Sequence, residues 1–121
     1  MYRAIILLLL SGYASAHQWT PTYPFLELSY IPRVVKTDMH LFNTRKDVDY
    51  YEIGVFDEKW EPVPFATPNR IVNVPHLKRQ KVEVFIREID LDRALYICSK
   101  SKIAAGENAS SVSSRICSKL K

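Results

Sequence analysis

Hydrophobic and polar residues alternate along most of the chain after residue 16, which is the pattern of strands that bury one face. The clearest example is Val82–Arg87, where every second residue is aliphatic. Near the start of this region, Leu26, Leu28 and Tyr30 are likewise expected to form the buried face of a strand. Five other segments of alternating or apolar residues also predict strands, namely Met39–Asn43, Tyr51–Phe56, Val72–Val74, Ala94–Cys98 and Val112–Leu120.

The spacing of these segments predicts the fold class. Short strands separated by clusters of Pro, Asn, Asp and Lys are typical of antiparallel sandwiches. No convincing helical periodicity follows Ala16. The sequence therefore predicts an all-β, seven-stranded antiparallel sandwich that occupies residues 17–121 as a single domain, since 121 residues leave no room for a second one.

The N-terminus has the features of a secretory signal peptide. Arg3 precedes the apolar run Ala4–Leu10, and the triplet Ala14-Ser15-Ala16 is a small-residue cleavage site. We therefore expect residues 1–16 to be removed during export, so that the mature chain begins at His17. The apolar run is far too short to cross a bilayer, and no membrane span is expected.

The two cysteines are predicted to form a disulfide bond. Cys98 and Cys117 are the only pair in the chain, so their connectivity is unambiguous. Export to an oxidising compartment favours the bond. In an antiparallel pair of the sixth and seventh strands, cross-strand neighbours lie close to the separation that a disulfide requires. The bond would attach the polar last strand to the sandwich.

Composition and charge exclude several classes of protein. Hydrophobic residues make up 47% of the chain, which is too many for a disordered segment. The formal net charge is +4, but the basic residues are scattered, and the sequence does not predict nucleic-acid binding. The pattern leaves open whether Trp19 and Tyr23 are buried, whereas Trp60, between two predicted strands, is expected at the surface.

The search for chemistry yields no catalytic or metal-binding motif. His17, His40 and His76 are scattered, and no nucleophile elbow or phosphate-binding loop accompanies them. We expect no enzyme, no cofactor and no metal site; a small secreted enzyme remains an alternative that a cleft uniting a histidine with a carboxylate would support. Asn108-Ala109-Ser110 matches the glycosylation pattern, which matters only in a eukaryotic source.

Several motifs together resemble the first domain of the periplasmic pilus-assembly chaperones of the chaperone–usher pathway. The resemblance covers about residues 25–121, and its segments follow the family's order. They are Tyr30–Val35, Met39–Asn43, Phe65–Pro75, Gln80–Arg87, Arg93–Cys98 and Ile116–Lys121. The resemblance implies that the predicted sandwich is immunoglobulin-like, and some members of the family also join the sixth and seventh strands by a disulfide.

The resemblance further implies a function by strand addition. Such a chaperone lends its seventh strand to an incomplete pilin, whose exposed groove would otherwise aggregate. By position, the donor strand would include Val112, Ser114 and Ile116. Two basic residues of the family bind the terminal carboxylate of the subunit by charge-assisted hydrogen bonds.

The position of these basic residues in the family matches Arg33 and Lys121 here, with Lys119 as the second anchor if the register differs by two residues. The expected partners are a pilin or another exported protein subunit, with an outer-membrane usher as a further candidate, and the expected location is the periplasm. Two alternatives stay open. The chain could be a structural sandwich subunit of an envelope or surface assembly. It could also be a truncated, inactive chaperone, since the family has two domains and this sequence accounts for one.

Overall fold

The structure, a computed structural model, describes residues 17–102 and 113–120. The fold is all-β, as predicted, and the helical structure among the described residues is a one-turn 3-10 helix at Glu88–Asp90. The strands are β1 (Gln18–Thr20), β2 (Glu27–Leu28), β3 (Val34–Phe42), β4 (Tyr50–Phe56), β5 (Ile71–Asn73), β6 (Arg79–Arg87), β7 (Tyr96–Ser101) and β8 (Arg115–Lys119).

These strands form two antiparallel sheets, an arrangement consistent with a β-sandwich. In the first, sheet A, β6 pairs with β3 along its whole length, from Val34 opposite Arg87 to Phe42 opposite Arg79. On the other side of β3, β1 pairs with its C-terminal end and β2 with its start. The second, sheet B, has the order β5-β4-β7-β8.

A single hydrophobic cluster contains the buried residues of both sheets. Each long strand contributes every second residue, because successive side chains of a strand point to opposite faces. The predicted inward residues are confirmed on β6, where Val82, Val84 and Ile86 are at most 3% exposed. The buried aliphatic and aromatic residues of the other long strands are Val35, Met39, Leu41, Tyr51, Ile53, Val55 and Ile97.

The prediction for the segment Leu26–Tyr30 is wrong. Leu28 is 82% exposed and Tyr30 is 85% exposed, while only Leu26 packs partly against the core. The physical reason is that β2 pairs only two of its residues with β3, at the margin of sheet A. Alternation alone does not bury one face of a strand when the strand is too short for the opposite sheet to cover it.

The strand count also differs from the prediction, because the described residues form eight strands instead of seven. Each predicted strand has a counterpart, and the additional one is β1, whose central residue Trp19 is buried. The predicted signal peptide, residues 1–16, lies outside the described residues, as do Val112, Lys121 and the motif at Asn108. Among the residues that the structure describes, no helix has the length and hydrophobicity needed to cross a membrane.

Candidate functional site

The last strand, β8, is an edge strand of sheet B, with β7 as its neighbour on one side. Just beyond the strand, the backbone N–H of Leu120 donates to the carbonyl of Leu95 at 2.8 Å. Leu120 therefore directs its backbone groups toward the β7 side. Adjacent residues of a strand direct their backbone groups to opposite sides. The backbone groups of Arg115, Cys117 and Lys119 therefore point away from β7.

The backbone groups of this outward edge are hydrogen-bonded at one end and unpaired, or open, at the other, and β1 packs beside β8. The N–H of Lys119 donates to the carbonyl of Thr22 at 3.0 Å, and the Ser118 hydroxyl donates to the carbonyl of Pro21 at 2.6 Å. Within the described part of the chain, the backbone groups of Arg115 and Cys117 on this edge have no hydrogen-bond partner. Unpaired backbone groups of this kind are a template for another strand.

A disulfide bond fixes β8 to the rest of the sheet. Cys98 and Cys117 lie directly opposite each other on β7 and β8, with their Cα atoms 4.0 Å apart, and they are bonded as predicted. Because the bond joins facing residues, it holds β8 in register with β7. The open edge is therefore carried by a strand that is covalently anchored.

The two described residues of the predicted donor strand, Ser114 and Ile116, share one face of the chain. Ile116 packs against the hydrophobic core, and Ser114 is half-buried. The Ser114 hydroxyl lies 3.3 Å from Nδ1 of His17. Both side chains thus face the interior of their own sandwich, and the backbone edge is the part of β8 that is exposed to a partner.

The predicted carboxylate anchor Arg33 lies in the turn before β3. It is exposed, has a φ of 63°, and its carbonyl accepts a hydrogen bond from the N–H of Glu88 at 2.9 Å. The start of β3 pairs with the end of β6, and the start of β7 pairs with the end of β8, where Lys119 lies. Because the connection from β6 to β7 is short, Arg33 and Lys119 lie at the same end of the fold.

A buried polar cluster lies at the opposite end, around Asn43. Its Nδ2 donates to the carbonyls of Val48 and Val74 at 2.6 and 2.7 Å. Its Oδ1 accepts from the Tyr51 hydroxyl at 2.5 Å and from the N–H of Arg45 at 2.8 Å. A single amide therefore satisfies four backbone and side-chain groups, and burial raises the pKa of Tyr51 to about 12, so that its hydroxyl remains a donor.

His17 connects β1 to this cluster. Its Nε2 lies 2.7 Å from the Ser99 hydroxyl, its ring centroid lies 4.5 Å from that of Tyr51, and the residue is 2% exposed. Burial lowers the pKa of His17 to about 4, with a smaller lowering from the charge of Arg45. The imidazole is therefore neutral at physiological pH, as expected for a structural histidine.

The outer face of sheet B carries an aromatic and cationic group beside β8. The rings of Trp60 and Tyr96 are stacked with centroids 4.3 Å apart, and Trp60 is 45% exposed, which confirms its predicted place at the surface. The guanidinium of Arg115 lies 4.9 Å from the Trp60 ring and 5.5 Å from the Phe56 ring. Gly54 leaves room for this arrangement, because a Cβ at that position would come within 2.8 Å of the Phe56 ring.

A second surface feature is an apolar groove of about 400 Å³ on the outer side of sheet A. Tyr30 meets Phe85 edge to face there, with ring centroids 6.2 Å apart, and Phe65 and Arg87 also line it. This groove was not predicted, because the alternation of Leu26, Leu28 and Tyr30 indicates that Tyr30 is buried.

Comparisons with known proteins identify no relative: no family model, no curated protein and no solved structure matches the chain. In residues 17–102 and 113–120, no group of three or more His, Cys, Asp or Glu side chains is arranged to hold a metal ion. The fold and the site thus define an all-β protein of two antiparallel sheets with an anchored, partly open edge strand.

Proposed function

We propose that the chain is a chaperone-like protein of the periplasm that binds a pilin or another exported surface subunit by edge-strand addition along β8. The observation that carries this proposal is the open backbone edge at Arg115 and Cys117. In edge-strand addition, main-chain hydrogen bonds supply the affinity. The proposal includes export by the signal peptide at residues 1–16 and an immunoglobulin-like assignment of the sandwich.

The disulfide supports this proposal because it lowers the entropy cost of binding at this edge. A strand that is already held in register gives up less conformational entropy when a partner binds. Cys117 lies within the stretch of β8 whose backbone groups are unpaired, so the disulfide anchors that stretch directly. The placement of Arg33 and Lys119 at one end also suits the proposed capture of a terminal carboxylate there, with Lys121 as the family-based choice.

Proline variants test the edge directly. Proline lacks the backbone N–H and is tolerated on edge strands, so Arg115→Pro removes an outward donor with limited damage to the sheet. Ile71→Pro is the matched control, because β5 is the opposite edge of sheet B and the backbone of Ile71 also points outward. The mature chain, residues 17–121, is used to capture proteins from its native periplasm.

We expect the unchanged chain and Ile71→Pro to recover a surface subunit, and Arg115→Pro to lose it. Equal recovery by all three proteins would overturn the role of the β8 edge. The companion variant Arg33→Ala tests the carboxylate anchor in the same assay. If no protein recovers a partner, the truncated, inactive chaperone becomes the better account.

The second candidate is a structural subunit of a surface assembly, and the exposed apolar residues favour it. Phe25 is 90% exposed, and Leu28 and Tyr30 are exposed to a similar degree. Apolar surface of this extent is typical of a face that contacts another protein. A structural subunit would remain with the assembled surface structure on fractionation, whereas a chaperone would be released from its client and stay soluble.

A further inference from the structure

The outer face of sheet B is basic beside the open edge. Lys100 and Arg115 lie directly opposite each other on β7 and β8, and both are exposed. Lys119, two residues after Cys117 on β8, points to this same outer face. Like charges directly opposite each other destabilise a sheet, unless an anion lies near them.

Little acidic charge compensates for these cations among the described residues. Glu52 lies opposite Lys100 on the other side, but its carboxylate is 3.5 Å from Nζ of Lys102, which adds a further cation. In this part of the described sheet, the single carboxylate of Glu52 therefore faces several basic groups. A strand added beyond β8 would extend this face on its uncompensated side.

Arg115 is also held in a position suited to binding. Its guanidinium lies over the Trp60 ring, and Trp60 is itself stacked on Tyr96. A guanidinium that rests on an aromatic face keeps its N–H groups available for a carboxylate. Because the side chain is already ordered, less entropy is lost when it forms an ion pair.

On these grounds we propose that the segment added to β8 is acidic, with Asp or Glu at two alternating positions that face the same side as Arg115. One carboxylate would lie directly opposite Arg115. The next, opposite Cys117, would lie diagonally between Arg115 and Lys119, within reach of both long side chains. This inference rests on the proposed edge-strand addition and names the chemistry of the partner.

The test uses three labelled synthetic peptides of equal length that have the same strand-forming Val and Thr residues. Their two outward positions carry Glu, Gln or Lys. Binding to the mature chain is measured by fluorescence anisotropy at low and at high salt. We expect the Glu peptide to bind at least about threefold more tightly than the Gln peptide, and the Lys peptide to bind least. The advantage of the Glu peptide should shrink as salt increases.

Two variants locate the effect. Arg115→Gln should remove most of the advantage of the Glu peptide over the Gln peptide, since Lys119 alone remains, and should leave the Gln peptide unchanged. Arg79→Gln is the matched control, because Arg79 also lies over an aromatic ring, that of Phe42, but on sheet A. This control should bind all three peptides as the unchanged chain does.

The outcomes separate the two proposals. If the Glu and Gln peptides bind equally and Arg115→Pro abolishes both, edge-strand addition stands and the acidic partner is overturned. Stronger binding of the Lys peptide would overturn the acidic partner as well. If none of the peptides binds at any salt concentration, the proposed function fails, and this inference fails with it.

Discussion

The imidazole Nε2 of His17 lies 2.7 Å from the buried hydroxyl of Ser99, and this contact joins the residue just before β1 to β7, an inner strand of sheet B. The indole N–H of Trp19 makes a second connection, to the carbonyl of Ile97 at 3.0 Å. Trp19 of β1 and His17, the residue just before β1, thus both reach β7, so the start of the described chain helps to hold the two sheets together.

The stability of the fold should depend on pH through His17. Burial lowers the pKa of His17 to about 4 from its ordinary value of 6.5, so the unfolded chain takes up this proton before the folded one. The stability that the neutral imidazole contributes is complete above about pH 6.5 and is lost as the pH falls toward 4. We expect the free energy of unfolding to fall by about 2 kcal/mol between about pH 7.5 and pH 5, as measured by urea denaturation.

The variant His17→Gln serves as the control for this effect. Glutamine can still bond the Ser99 hydroxyl but does not titrate in this range. Its free energy of unfolding should change much less between the same two pH values. A drop as large as that of the unchanged chain would assign the pH dependence to other groups.

The disulfide should contribute strongly to the stability of the edge strand. Cys98 and Cys117 are 19 residues apart in sequence, so the double variant Cys98→Ala/Cys117→Ala should lose about 3 kcal/mol of the free energy of unfolding. Amide exchange at Ile116 should also become faster, because without the disulfide this edge strand is held in the described sheet only by its pairing with β7. Identical urea midpoints for the double variant and the unchanged chain would show that the bond is dispensable.

Asn43 should be among the most sensitive polar positions. The variant Asn43→Ala leaves the carbonyls of Val48 and Val74 and the Tyr51 hydroxyl buried without their partner. We expect a loss of about 3 kcal/mol, since each unsatisfied group carries a desolvation penalty. Asn73→Ala, the same change at an exposed position of β5, should alter stability by less than about 0.5 kcal/mol. Equal losses in thermal or urea unfolding would contradict the assigned network.

A pair of leucines tests the corrected burial assignment. Leu41 is fully buried and Leu28 is 82% exposed, so the same truncation to alanine should have very different costs. We expect Leu41→Ala to lose about 2–5 kcal/mol through lost burial and a cavity, and Leu28→Ala to stay within about 0.5 kcal/mol. Comparable urea midpoints for the two variants would mean that Leu28 is buried after all.

Part of the candidate site was predictable from local pattern alone. The pattern around Ile116 predicts a last strand, but that Ile116 packs against the core of its own sandwich was not predicted. With one cysteine pair in the chain, the bond between Cys98 and Cys117 also followed from the sequence. The open backbone edge did not, because it depends on which strand ends the sheet and on where Thr22 covers it.

What the sequence determined by itself is the set of properties that depend on near neighbours along the chain. A period of two predicts a strand and its inward residues, as on β6, because backbone geometry alternates side chains wherever the strand runs. The tertiary structure decided the burial of His17 and Trp19 and the exposure of Leu28 and Tyr30. Those outcomes depend on which distant strands pack over each segment, and local alternation does not encode that packing.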